Sequence, residues 1–568
     1  MTTRSCPSVP ENRTVPKILI VGGGYAGFYT AWKLEKHLRK GEADVTMVDP
    51  LPYMTYQPFL PEVAAGSIEA RHAVVAHRRH LKRTNVITAK ITGIDHANKV
   101  ATITPPVGDP YEFAYDQIVV TAGAVSRTFP IPGIADNAIG LKTIEEAVAV
   151  RDKLMSNFDK AASVPAGPER DRLLTTVVVG GGFAGIEAFA ELRSLASALV
   201  AKYPQLSFED THFHLIEAMG RIMPEVSLKT SEWVLKDLAK RGANVHLDTQ
   251  VTGAVGGNVE LSTGEVIPTD LIIWTAGVMA NPTVVRGGDL PVEERGRIRT
   301  RADLRVGTPE EFVEGAWAAG DVSAVPDLTG GGVGGYCVPN AQHAVRQAKL
   351  LAKNLVAVLR GEGTKDYFHK NLGAVAGLGL YNGVFQSGKI ALKGFLAWVA
   401  HRGYHGLAMP SWERKWRVLW GWWHNLWLGR DIVNLETVQN PRYVFEEFAA
   451  RPRPAADAPA PAPAPAKAPE APVTEKPAAK TEAVADAAAD DKATVAAPAA
   501  DKPAKKAPAR KPAAKRRTEP AEVKPAAPKV SADAAAADDA TVKKPAARKP
   551  AAKRRTEPAD AKATSAAK

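Results

Sequence analysis

The spacing Gly-x-Gly-x-x-Gly occurs twice between a short apolar run and a helical stretch, and it constrains the fold more tightly than any other feature of this chain. The first copy lies in KILIVGGGYAGFYTAWKL, Lys17 to Leu34, at Gly22, Gly24 and Gly27. The second lies in TTVVVGGGFAGIEAFAEL, Thr175 to Leu192, at Gly180, Gly182 and Gly185. The first glycine of such a set permits the tight turn, and the second lets the backbone approach a pyrophosphate. The third lets helix and strand pack closely, with the phosphate at the helix N-terminus where unpaired N–H groups point at it. A bare match is weak; the strand before and the helix after give it weight. Each copy is followed by a second apolar strand ending in a carboxylate, VTMVD at Asp49 and HFHLIE at Glu217. Asp49 is placed to accept hydrogen bonds from a ribose. Glu217 suits a free 2′-hydroxyl and repels a 2′-phosphate, which favours NADH over NADPH. No arginine directly follows it, the next being Arg221. The expectation is an α/β chain with two nested Rossmann-like dinucleotide-binding domains, serving two redox cofactors or a cofactor and a co-substrate.

Other segments fit that plan. DQIVVTAG (116–123) and DLIIWTAG (270–277) are matching strands that end in small residues, among them Gly277. Each lets the chain pass near a cofactor without obstruction, or is an ordinary strand-loop junction. WAAGDV (317–322) places Asp321 after a small-residue turn, suited to a ribityl or phosphate contact.

Composition divides the chain. From Arg451 onward there is no Phe, Trp or Tyr, and the text is mostly Ala, Pro, Lys and acidic residues. Such a segment buries too little apolar surface to offset its ordering entropy, so it reads as a disordered basic tail. It holds 25 Lys+Arg and 15 Asp+Glu, hence +10 of the chain's +12 formal charge. The pI of 9.4 therefore describes the tail and is no argument that the folded part binds nucleic acid. Cys6 and Cys337 are the two cysteines, which excludes a disulfide scaffold and encodes neither a thiol-disulfide redox centre nor a cysteine zinc site. No metal site is expected. MTTRSCPSVPENRTVP carries no apolar secretory core, and there is no run of about 18 apolar residues to span a bilayer.

Taken together, these residues resemble the two-dinucleotide-domain flavoprotein reductases, and within them type II NADH dehydrogenase, the non-pumping NADH:quinone oxidoreductase. The resemblance covers roughly Lys17 to Phe448. It is carried by YQPFLPEVAAG (56–66), GIE (185–187), WTAGV (274–278), AAGD (318–321) and AQHAVRQ (341–347). It implies non-covalent FAD in the first fingerprint and NADH as substrate in the second. On the FAD side it implies Gly22, Gly24, Tyr25, Ala26, Gly27 and Phe28 at the pyrophosphate, Asp49 at the ribose and Ile91 by the adenine through its backbone. It further implies Asp321 at the ribityl chain, Ala341 and Gln342 under the isoalloxazine, and Lys370 approaching the same ring. On the NADH side it implies Gly180, Gly182, Gly185, Glu217 and Gly277, with Glu187 positioning the nicotinamide. Hydride transfer needs no obligatory side-chain acid, so Glu187 is not read as a general base; a purely structural helix-start carboxylate is the alternative. The family reads AQ-x-A-x-Q, whereas here Arg346 stands at the last position and Gln347 follows it. Gln342, Arg346 and Gln347 are thus the candidates for the quinone headgroup. GGGVGGYC (330–337) has no family counterpart and is assigned no role.

A quinone reductase takes its acceptor from a bilayer, and one stretch suits that task. In SWERKWRVLWGWWHNLW (411–427), Trp412, Trp416, Trp420, Trp423 and Trp427 fall within roughly an 80° arc at 100° per residue. After Gly388, KIALKGFLAWVAHRGYHGL and this Trp helix read as two amphipathic membrane-docking helices, with Lys and Arg alongside. Indoles favour the membrane interface, which accommodates both ring and N–H. A core-facing helix and a homodimer interface are the other uses of such a stripe.

The expected divisions are a flexible N-terminus (1–16), an FAD-binding domain in two parts (17–145 and 283–365), an NADH-binding domain (146–282), a membrane-docking region (366–450) and the tail (451–568). The expected function is FAD-dependent oxidation of NADH with two-electron reduction of a membrane quinone and no proton pumping. The expected place is the cytoplasmic face of the cell membrane, held peripherally on the lipid bilayer surface. A soluble NADH-dependent reductase of a ferredoxin or other carrier is one alternative, and a non-enzymatic NADH-responsive flavoprotein scaffold another. ARKPAAKRRTEP occurs twice in the tail, at 509–520 and 547–558. Its basic clusters suit anionic lipid or nucleic acid, or a solubilising extension with no fixed partner.

Overall fold

A computed structural model describes residues 15–369 and 373–449. Cys6, Lys370 with its expected flavin contact, and the expected disordered tail from 451 lie outside the described residues.

The strand Lys17–Val21 is buried from Ile18 through Val21, a continuous apolar run as expected of a parallel strand covered on both faces. It lies inside a six-stranded sheet ordered Arg305–Gly307, Phe312–Ala318, Gln117–Val120, Lys17–Val21, Asp44–Asp49 and Asn85–Thr88. All its pairings are parallel except that of Arg305–Gly307 with Phe312–Ala318. The second sheet, ordered Ala138–Gly140, Leu271–Trp274, Thr175–Val179, His212–Ile216 and Ala243–His246, is wholly parallel. Its strands all fall in the sequence between Gln117–Val120 and Arg305–Gly307. The chain therefore leaves the first sheet, builds the second and returns. The outgoing and returning segments pair with each other, Ala124–Ser126 running antiparallel to Val278–Ala280.

Helices complete the layers. Tyr25–His37 packs against Ala341–Leu359. The long helix Ile144–Ser163 opens with a capping box in which Thr143 and Glu146 satisfy each other's backbone N–H groups.

Beyond the second sheet's last strand, Ala374–Gly377, Gly383–Ser387 and Ile390–Lys393 form a small antiparallel sheet. Here the structure departs from the sequence reading, which runs KIALK into the first amphipathic helix. Ile390–Lys393 is a strand paired with Gly383–Ser387, and the helix is Phe395–Ala408. The break falls at Gly394, whose φ of 68° and ψ of −142° suit glycine and end both elements. The Trp helix is Trp412–Leu428, capped by Ser411, whose hydroxyl accepts from the Arg414 N–H.

Buried polar contacts fasten this region to the body of the protein. Trp422 Nε1 donates to Glu62 Oε2 at 2.8 Å, and Arg402 Nη2 lies 3.1 Å from the same oxygen. The Arg402 guanidinium sits 4.6 Å from the Trp398 ring and 4.7 Å from that of Trp422, within cation–π range of both. Arg430 pairs with Glu191 at 3.0 Å. With Val418 and Trp422 turned inward, the five indoles of the stripe face away. Trp412, Trp416 and Trp427 are 71%, 63% and 73% exposed, so in this chain the stripe is not a core face. Leu396 and Leu407 on the preceding helix and Leu428 at the end of this one are exposed too, and no helix among the described residues is long and apolar enough to cross a membrane.

Candidate functional site

The two glycine turns are built alike. Gly22 and Gly180 have φ of 96° and 111°, where a side chain would be strained. A Cβ on Gly27 would stand 1.7 Å from the Gly22 carbonyl oxygen, and one on Gly185 would stand 1.9 Å from that of Gly180. Each turn is also held by a threonine at the end of the neighbouring strand. Thr121 Oγ1 donates to the carbonyls of Val21 and Gly22, and Thr275 Oγ1 to those of Val179 and Gly180. The carboxylates expected at the ribose positions face the turns. Asp49 accepts from Gly23 N at 2.5 Å and Leu51 N at 2.7 Å, and Glu217 from Gly181 N at 2.5 Å and Met219 N at 2.8 Å. Each anion thereby orders its own phosphate loop and keeps oxygen lone pairs for a ligand hydroxyl.

Above the first turn opens a cavity of about 490 Å³, within the range of roughly 300–1,000 Å³ usual for ligand sites. Gly22, Gly24, Tyr25, Asp49, Asp321 and Ala341 are in its wall. A Cβ on Gly24 or Gly123, both in that wall, would meet no protein atom within 4 Å. Burial raises the carboxyl pKa of Asp49 against the opposing pull of the Gly23 and Leu51 N–H groups. Burial also raises that of Asp321, and Lys142, with Nζ 4.0 Å away, opposes it. A glycine cradle with two partly buried carboxylates matches the donor set of a flavin dinucleotide, namely pyrophosphate, ribose and ribityl hydroxyls.

The other expected residues are spread more widely. Ala26 lines the cavity, whereas Phe28 is buried behind it against Trp32 and His77. Ile91 is in the strand Lys90–Asp95 with its side chain in the core, away from the cavity wall. Gln342 Nε2 donates to the Gly373 carbonyl at 3.4 Å, and Arg346 Nη1 donates back to the Gln342 carbonyl. Gln347 is buried, and its Oε1 accepts from Gly320 N at 2.8 Å. Its side-chain oxygen thus braces the turn that carries Asp321. Gly182 opens the helix Phe183–Val200 as its N-cap, and Gly277, with φ of 99°, leaves open space where a side chain would begin. Cys337 is a small buried residue whose thiol burial pushes up to about 11.

Glu187 is met from two sides. Its Oε1 accepts from Gly377 N at 2.9 Å and lies 3.2 Å from His401 Nε2. Sequence reading missed His401, His405, Arg402 and Glu62, all buried. Their signal was present: two histidines and an arginine interrupt the apolar helix FLAWVAHRGYHGLA, and Glu62 interrupts YQPFLPEVAAG. His77 was missed too. Its Nε2 lies 2.8 Å from the Gly23 carbonyl, and burial lowers its pKa to about 4, so it is neutral beside the loop.

The pattern that describes the pyridine nucleotide-disulphide oxidoreductases matches residues 16–348. A probable NADH dehydrogenase of Dictyostelium discoideum is 28% identical over 425 residues, covering 73% of this chain and 90% of that protein. The type II NADH:quinone oxidoreductase Ndh of Mycobacterium tuberculosis is 28% identical over 426 residues, covering 72% and 87%. Among solved structures, NDH2 of Plasmodium falciparum superposes with a TM-score of 0.67 at 19% identity, over 74% of this chain and all of that one, a likeness of fold.

Proposed function

This chain belongs to the pyridine nucleotide-disulphide oxidoreductase family, and on that premise we propose that it oxidises NADH and passes two electrons to a membrane quinone, with FAD between them. The observation that carries this reading is the doubled turn with its own carboxylate at each site, combined with relatives named for NADH and quinone. No redox cysteine pair stands in the chain, which sets it apart from the disulfide-reducing chemistry in the family's name.

Gly22, Gly24, Asp49, Asp321 and Ala341 would hold FAD, and the segments 17–145 and 283–365 form its domain. FAD supplies what no side chain here offers, acceptance of a hydride and release of its electron pair. The chain's own residues bind and orient. Glu217 accepts the adenosine ribose hydroxyls of NADH and disfavours a 2′-phosphate. Glu187, held by Gly377 N–H and His401, fixes the nicotinamide. Gln342 and Arg346 offer donors to a quinone carbonyl.

Anaerobic mixing tests the reading. NADH should bleach the flavin absorbance, and a short-chain quinone should restore it within a turnover. Bleaching without recovery would assign another acceptor, such as a ferredoxin.

The Trp stripe gives the protein its place on the bilayer. Each indole buries on the order of 150–250 Å² when immersed, so a partly immersed stripe supplies several kcal/mol at about 25 cal/mol/Å². Replacing Trp416, Trp420 and Trp423 together by serine should weaken binding to lipid vesicles about a hundredfold or more, read by flotation. Undiminished flotation would make the stripe a surface for a second copy of the chain.

A further inference from the structure

We propose that His214, His246 and Glu265 bind one divalent transition-metal ion of the zinc class, which clamps the edge strand of the second sheet to a turn packed over it. None of the three lines the flavin cavity, and the oxidation of NADH assigned above uses none of them.

The fold brings them together from three separate elements. Side chains alternate along a strand, so within His212–Ile216 the residues Phe213 and Leu215 join one core cluster and Ile216 another. His214 shares the face of Ile216. Ile216 is in register with His246 on the edge strand Ala243–His246, which puts both rings on that face. A small antiparallel sheet, Val251–Val255, Asn258–Leu261 and Val266–Pro268, packs there, through an apolar layer that includes Val177, Ile216, Val259, Leu261 and Ile267. Glu265 stands in the turn between the last two of those strands. The two histidines are half-buried and Glu265 is exposed, so the group sits where that layer meets solvent. Its spacing in the sequence matches no short ligand motif, which is why the sequence predicts no metal site.

The distances suit an ion. His214 Nδ1 is 3.1 Å from His246 Nε2, and Glu265 Oε2 is 3.6 Å from His246 Nδ1. One nitrogen of each ring and one carboxylate oxygen lie within 4.8 Å of one another. The ligands of a tetrahedral zinc ion, bonded at about 2.0–2.2 Å, stand roughly 3.3–3.6 Å apart. Rotation of the exposed Glu265 side chain closes the difference. A proton shared between the rings satisfies two of the three groups, since 3.6 Å is too long for a hydrogen bond; an ion satisfies all three. Burial, then the charges of His246 and His212, lowers the His214 pKa to about 4. Its ring therefore offers a lone pair at neutral pH, as metal binding requires. Imidazole with carboxylate favours zinc-class ions over magnesium or calcium, which take oxygen ligands, and three protein ligands leave a fourth position to water. Among the described residues no other group of three such side chains converges as closely.

The clamp acts on a strand that pairs on one side only, with His212–Ile216. The His246 carbonyl accepts from Glu217 N at 2.9 Å. Fixing His246 therefore steadies the backbone of the carboxylate that faces the second glycine turn.

The test uses the full-length, flavin-loaded protein without a histidine tag, freed of metal by a chelator and titrated calorimetrically with Zn²⁺. One ion should bind per chain, and excess Mg²⁺ should not displace it. Glu265→Gln and His246→Gln should each weaken binding by at least the ~10–100-fold that loss of a ligand's supporting partner costs. Glu265 is exposed, so its variant decides the matter if His246→Gln fails to fold. Zn²⁺ should also raise the thermal midpoint and slow hydrogen exchange at the Glu217 amide in the unaltered protein, and do neither in the variants. No binding, or equal binding by all three proteins, would overturn the site. Binding at the site with Glu217 exchange unaltered would overturn the clamp.

Discussion

Gly27→Ala should yield a protein without bound flavin and less stable by about 3 kcal/mol or more, a severe case of overpacking. The added methyl would stand 1.7 Å from the Gly22 carbonyl oxygen and 2.7 Å from Thr121 Oγ1. Neither neighbour gives way at low cost. The carbonyl is backbone in a turn already at φ of 96°, and Thr121 Oγ1 donates to it at 2.9 Å. Relief requires the helix Tyr25–His37 to lift from the sheet, which opens the cradle where the pyrophosphate belongs. Gly185→Ala meets the same obstruction in the second sheet, 1.9 Å from the Gly180 carbonyl. It should leave the flavin in place and raise the NADH KM a hundredfold or more. The ratio of flavin to protein absorbance separates the two variants. A yellow Gly27→Ala protein with an unchanged melting temperature would refute the assignment of the first turn.

The glycine turns were legible because their chemistry is local: strand, turn, helix and the acid at the next strand's end lie within a few dozen residues. Asp49 and Glu217 could be named for the same reason. The site's second half was not legible, because its partners are far apart in sequence. Glu187 meets Gly377 and His401 across about two hundred residues, and a histidine inside an apolar helix carries no mark of which carboxylate it will face. Gln347 Oε1 accepts from Gly320 N, a backbone partner that residue type alone does not disclose. The Trp stripe was legible as a face, but its outward direction depends on Trp422 and Val418 claiming the inward side. The strand Ile390–Lys393 was missed because a four-residue apolar run fits helix and strand alike.

The inward side of the Trp helix meets a buried carboxylate, and that makes Glu62→Leu the second large effect to expect. Glu62 Oε2 receives Trp422 Nε1 and lies against the Arg402 guanidinium. Both side chains of the ion pair are nearly excluded from water, at 10% exposure for Arg402 and 4% for Glu62. Removing the anion leaves a cation buried between two indoles and an indole N–H without its acceptor. Breaking a buried pair from one side costs about 3–5 kcal/mol. The loss falls on the fastening of the helices Phe395–Ala408 and Trp412–Leu428, since neither glycine turn touches Glu62. Limited proteolysis should therefore cut the variant within 395–428 while the flavin stays bound. The companion change Arg402→Met removes the stranded charge and keeps a long side chain between the rings. The double variant Glu62→Leu, Arg402→Met should regain most of the lost stability, and a double-mutant cycle measures how much. If Glu62→Leu resisted proteolysis as well as the unaltered chain, the C-terminal helices would owe their position to apolar packing and to their other polar contacts, such as that of Asn425 Nδ2 with the Ser67 carbonyl.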